Sequence, residues 1–152
     1  FDKNKMAAKP TFGIVNKGGQ MELNDNHTVV AELKTRIRKF VTDRDWDQYH
    51  YPKDLAIGLA IEAAELLEHF RFRSNDELEE LATDTEFRQC VAHELADVLY
   101  FVLLMCSNLR LDASSILTEK LAINAEKYPV NQSRGSNIKY TDLLSPTKHW
   151  NA

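Results

Sequence analysis

Ala92-His93-Glu94-Leu95-Ala96-Asp97-Val98-Leu99-Tyr100 carries two acids three residues apart in an otherwise apolar run, and Ile61-Glu62-Ala63-Ala64-Glu65-Leu66-Leu67 repeats the arrangement upstream. On a helix, residues three apart lie about 60° from each other, so each pair aims two carboxylates the same way. The flanking Ile, Leu, Val and Ala residues make both segments helices that bury a face. A carboxylate turned towards a core raises its pKa or finds a cation. If the two pairs face each other, Glu62, Glu65, Glu94 and Asp97 put four negative charges together, an arrangement that a divalent metal relieves. An all-oxygen set of this kind suits a hard cation, Mg²⁺ or Mn²⁺. The alternative is that the acids are solvated residues on ordinary amphipathic helices, as charged side chains commonly are. Two pairs, each inside an apolar helix, weigh against that alternative, and the spacing alone goes no further.

Working outward, 152 residues make one domain with room for a core, and 43% apolar with 28% charged residues is the balance of a soluble globular protein. Five Gly and four Pro favour helix. The net charge of −4 and the lack of a basic stripe exclude duplex nucleic acid as a partner. The longest unbroken apolar run, Val98 to Cys106, is too short to span a bilayer, and no signal-peptide pattern occurs. Cys90 and Cys106 fall on one expected helix, about 24 Å apart, and cannot bridge each other. They read as reduced thiols, which places the chain in the cytoplasm.

Residues 1–20 are polar and aperiodic and are expected to form a flexible arm or a non-native extension, with Met21 as a start. Helical periodicity runs from Val29 to Thr42 through Val30, Leu33, Ile37, Phe40 and Val41. Arg44 to Tyr51 breaks it as an aromatic loop, and Pro52 stands near the first turn of the next helix. That second helix is expected over Lys53 to Phe72. Ser74 and Glu77 form a capping box for a short helix to Ala82, and Thr83 and Glu86 form another that opens a helix from Asp84 to Leu109. Asp112 caps a helix from Ala113 to Lys127, which stops before Pro129. Residues 131–152 read as a tail. The expectation is an all-α domain over residues 21–130, a four-helix bundle with one short extra helix. Val98 to Cys106 is apolar all round, so the third long helix is expected to be covered on more than one side. Either a second subunit, giving at least a homodimer, or the short helix and tail supply that cover.

Lys120, Asn124 and Lys127 lie i, i+4, i+7 on one stripe, opposite a side marked as buried by Ile116, Leu117, Leu121 and Ile123. The stripe suits phosphate oxygens beside a metal, or else is a solvated face. Trp46, Tyr49, His50 and Tyr51 suit stacking on a base, or else plug the end of the bundle. A di-iron carboxylate protein needs Glu-x-x-His on two helices. Leu66 stands three before His69 and Cys90 three before His93, so that motif is absent. No Gly-rich phosphate loop occurs.

Arg44-Asp45-Trp46-Asp47-Gln48-Tyr49-His50, Glu62-x-x-Glu65, Glu94-x-x-Asp97, Lys120-x-x-x-Asn124-x-x-Lys127-Tyr128-Pro129 and Arg134-Gly135 follow one another in one order. From Val29 to Tyr140 the chain resembles the MazG-like all-α nucleoside triphosphate pyrophosphohydrolases, near their dCTP pyrophosphatase branch. The resemblance implies Mg²⁺-dependent hydrolysis of (deoxy)nucleoside triphosphates to the monophosphate and pyrophosphate, as nucleotide-pool house-cleaning with a dCTP-like preference. It implies that Glu62, Glu65, Glu94 and Asp97 hold the metal and carry catalysis. Charge balance against a triphosphate asks for at least two Mg²⁺ per site, with Mn²⁺ as a substitute. Lys120, Asn124, Lys127 and Tyr128 would contact phosphates, and Trp46 would line the base pocket. A homodimer or a tetramer of two dimers is implied. One departure is Phe72, where dCTP-preferring relatives often carry Trp. The alternative function is a non-enzymatic nucleotide-binding or scaffold module.

Overall fold

The computed structural model describes residues 23–143, so the expected N-terminal arm and the end of the tail lie outside the described residues. Every regular element is helical among those residues, as the periodicity requires. α1 spans Val30–Thr42. A 3-10 turn, Asp47–Tyr49, occupies the aromatic loop. α2 spans Pro52–Glu68 with Pro52 in its first turn, where the missing N–H has no intrahelical partner to lose. It ends four residues earlier than periodicity suggests. Residues 69–72 form a turn in which Phe72 takes a left-handed backbone (φ 65°), so no helix continues through it.

α3, Asn75–Leu81, opens on the expected capping box, with Ser74 and Glu77 each accepting the other's backbone N–H. α4, Thr85–Asn108, is capped by Asp84, whose Oδ1 accepts the Phe87 N–H at 2.7 Å. The expected Thr83 cap is not formed, because the Thr83 hydroxyl donates to the Glu80 carbonyl instead. α5, Ala113–Lys127, starts at Asp112 as expected, with Oδ1 accepting from Ser115 N at 2.8 Å. The polar stretch after Pro129 is not featureless: it forms two single-turn helices, α6 (Val130–Ser133) and α7 (Tyr140–Leu143).

α2 and α4 pack along their length, and α1 packs against α4 over a shorter stretch. The pairings descend α4 as they climb α2, so the two helices run antiparallel. Leu55 meets Leu104 in the core, Gly58 meets Phe101, and Glu62 and Glu65 meet Glu94. Gly58 permits the close approach, since a Cβ there would stand 2.5 Å from Phe101 Cζ. Val41, Leu55 and Leu104 are fully buried, with Ile37, Tyr100, Phe101 and Met105 packed around them. This small core sits at the end of the α2–α4 seam nearest the aromatic loop. By length and composition alone α4 is long and apolar enough to cross a bilayer. It is also the helix that α1 and α2 pack on, and it carries Glu94 and Asp97 in its middle.

α5 makes only sparse contact with the other helices. The side expected to be buried is bare within one chain: Leu117 is 60% exposed and Leu121 59%, with Ile116 and Ile123 also exposed. Among the described residues, no other helix makes more than sparse contact with that side.

Candidate active site

The antiparallel seam fixes the geometry of the acids. Glu62 and Glu65 rise from α2 opposite Glu94 on α4, and one carboxylate oxygen from each lies within 4.8 Å of the other two. Glu62 and Glu94 are half-buried, and Glu65 is exposed. Asp97, one turn along α4 from Glu94, acts on Glu62 through space. Burial, then the charges of Glu65, Asp97 and Glu94, push the Glu62 carboxyl above the usual carboxylate range. Repulsion of this kind, in an all-oxygen donor set, is the environment a divalent cation neutralises. Glu62, Glu65 and Glu94 therefore converge closely enough to fit a hard divalent metal, with Asp97 one turn further along α4.

A testable consequence concerns the metal-free protein. A carboxyl whose pKa is raised by folding stabilises the fold below the unfolded value and loses that contribution as pH rises through the folded value. Glu62→Gln should therefore melt at a higher temperature than the wild type at pH 7–8 in chelator. The gain should vanish below about pH 4.5, where Glu62 is itself neutral. Thermal melts at the two pH values check this, and an equal Tm at pH 8 would contradict it.

Beside Asp97 opens a cavity of about 600 Å³. α1 contributes Arg36, Ile37 and Phe40; the loop contributes Trp46 and His50; α4 contributes Ala96, Asp97, Tyr100 and Phe101. The loop is held by a chain of polar contacts. Arg38 pairs with Asp47 at 2.7 Å and donates to Asn108 Oδ1 at 2.8 Å, while Asn108 Nδ2 donates to the His50 carbonyl at 2.7 Å. Trp46 stands edge-on to Phe40 at 5.9 Å and to His50 at 6.4 Å. Arg44 lies 3.6 Å over the Phe40 ring. Trp46 remains 42% exposed, with surface free for a ligand. Burial pushes the Tyr100 hydroxyl above its usual range, so it is neutral at physiological pH. An aromatic slot thus opens beside the acidic cluster: Asp97 lines it, and the Asp97 charge acts on Glu62.

Sequence reasoning brings Glu62, Glu65, Glu94, Asp97 and Trp46 together; the structure clusters Glu62, Glu65 and Glu94 and puts Asp97 and Trp46 in the wall of the neighbouring cavity. It does not bring Lys120, Asn124, Lys127 or Tyr128 there within one chain. None of the four lines the cavity. Lys127 lies 5.1 Å from the Tyr140 ring and Tyr128 packs edge-on to Tyr140 at 5.8 Å, so α7 meets the end of α5. Two features escaped the sequence. One is the α1 wall of the cavity, where Ile37 and Phe40 read simply as periodic apolar residues. The other is His69, whose Nε2 lies 4.0 Å from Glu94 Oε1. Its signal was its spacing, four beyond Glu65 and seven beyond Glu62, on the same helical face.

The MazG-like family model matches residues 57–143, a span that includes all four cage carboxylates and α5. The chain belongs to the MazG-like family. It is 36% identical to dCTP pyrophosphatase 1 of Rattus norvegicus over 138 residues, covering 86% of this chain and 81% of that protein. It is 32% identical to dCTP pyrophosphatase 1 of Homo sapiens over 114 residues, 75% of this chain and 67% of that one. The crystal structure of a pyrophosphatase from Archaeoglobus fulgidus shares 36% identity with it at a TM-score of 0.62, covering 71% of this chain and 99% of that chain. A MazG-like chain accounts for the all-helical architecture of the described residues.

Proposed function

We propose that this chain hydrolyses deoxynucleoside triphosphates, with a dCTP-like preference, to the monophosphate and pyrophosphate, clearing the nucleotide pool. The observation that carries the reading is the cluster of Glu62, Glu65 and Glu94 beside an aromatic cavity that Asp97 lines. The relatives named dCTP pyrophosphatase supply the reaction class. Glu62, Glu65, Glu94 and Asp97 would hold Mg²⁺, at least two ions per site with Mn²⁺ as a substitute, and bound metal supplies polarised phosphoryl oxygens and a water of lowered pKa. A cage glutamate takes the proton of the attacking water as its oxygen bonds to phosphorus and pyrophosphate departs. Lys120, Asn124, Lys127 and Tyr128 act on phosphate once α5 is packed in the assembled enzyme, offsetting charge on the leaving group. The assembly is a homodimer or a tetramer of two dimers.

Product analysis over the four canonical dNTPs with Mg²⁺ tests the reading. Pyrophosphate, not orthophosphate, should appear. No turnover with Mg²⁺ or Mn²⁺ would leave a nucleotide-binding or scaffold module in its place.

Trp46 stacks on the base. Trp46→Ala should weaken nucleotide binding by about 1–3 kcal/mol, the usual range for one base–aromatic stack. The effect should fall on KM more than on kcat, because stacking is the same in ground and transition states. If Trp46 only plugs the loop against Phe40, the variant will instead show a lowered Tm and an unchanged KM.

A further inference from the structure

The glutamate cluster lies on the α2–α4 seam, and His69 stands just beyond it at the end of α2. Its backbone caps α2, its N–H donating to the Leu66 carbonyl at 3.3 Å while the Phe70 N–H donates to the Leu67 carbonyl at 3.0 Å, so its position is set by the helix end. Its ring packs edge-on against Phe87, centroids 6.2 Å apart and planes at 88°. Phe87 is itself braced by Phe70 at 5.9 Å. The imidazole is held on one side by this aromatic cluster and on the other faces Glu94. Nε2 to Glu94 Oε1 is 4.0 Å, with His69 29% and Glu94 21% exposed at the side chain. Among the described residues, no side-chain hydrogen bond or ion pair other than this one engages Glu94. Glu62, Glu65 and Asp97 only repel it.

We propose that His69 is a positioning residue of the cage, its Nε2–H orienting the Glu94 carboxylate for metal. Carboxylates that ligate metals are commonly hydrogen-bonded from behind, which fixes the oxygen left for the ion. A small rotation of the Glu94 carboxylate, or one bridging water, closes the 4.0 Å gap. The inference rests on the reading of the four carboxylates as a metal cage.

Two variants of the full chain separate this role from packing. His69→Phe keeps a ring against Phe87 and loses the donor. His69→Gln keeps an N–H at about the reach of Nε2 and loses the ring. Mn²⁺ alone, without nucleotide, is titrated against each and followed by the electron paramagnetic resonance of free ion, with Tm measured in chelator. His69→Phe should weaken Mn²⁺ affinity about tenfold or more, the usual effect of losing a supporting partner, with Tm unchanged or raised. His69→Gln should stay within about threefold of wild type on the same scale. Mn²⁺ binding by His69→Phe equal to wild type overturns the proposal while leaving the cage intact. So does weakening by His69→Gln equal to that by His69→Phe. Failure of the wild type to bind Mn²⁺ would overturn the cage itself, and His69's role with it.

Discussion

Glu94→Gln is expected to abolish turnover while leaving the helices intact. Glu94 is central in the cage: it faces Glu62 and Glu65 across the seam and has His69 behind it. The amide matches the carboxylate in shape, so packing between α2 and α4 is preserved. What is lost is one unit of negative charge and one strong oxygen donor. The deficit in pyrophosphate release should exceed the roughly 10–100-fold that follows loss of a supporting partner, because the proposed cage would lose one of its ligands outright. Without metal the variant should be no less stable than wild type, since one repulsive charge has left the neighbourhood of Glu62. Steady-state release of pyrophosphate, circular dichroism and a melt in chelator make the check. Wild-type turnover by Glu94→Gln would remove Glu94 from the site.

How much of this was legible follows from what each signal measures. The helices were legible because apolar periodicity and capping residues act within a few positions. Ser74, Asp112 and Pro52 behave as their chemistry dictates. Thr83 misled because Asp84, one residue on, offers a better acceptor to the same orphan N–H groups. The end of α2 was overrun because a periodic pattern cannot report the positive φ at Phe72. The carboxylates were legible because two acids three apart in an apolar helix are locally anomalous. The wall opposite Trp46 was not, because Ile37 and Phe40 look like any core-facing residues until α1 is docked beside Tyr100. The Lys120–Asn124–Lys127 stripe was legible as a face, but a face carries no information on what it meets.

The uncovered surface gives the second large expectation. Among the described residues the fully packed core is small, Val41, Leu55, Leu103, Leu104 and Cys106. Meanwhile Ile57 is 53% exposed, Leu99 49%, Leu117 60% and Leu121 59%. Fully burying such a side chain contributes about 1.5–3 kcal/mol, and each of these forgoes about half of it, which over several residues is a large share of what a small domain needs to fold. The apolar girth of α4 and the bare side of α5 are therefore expected to meet in a second copy of the chain. Wild-type protein at micromolar concentration should scatter light as a dimer or tetramer, and its Tm should rise with concentration because assembly and folding are linked. Leu117→Arg combined with Leu121→Arg puts two cations into that contact. The double variant should fall apart to monomer and lose most of its activity, although neither residue lines the cavity or belongs to the cage. A wild-type monomer with a concentration-independent Tm would reject the assembly. A doubly substituted protein that stays assembled would move the interface off α5 and onto the exposed row of Leu95, Leu99 and Val102 on α4.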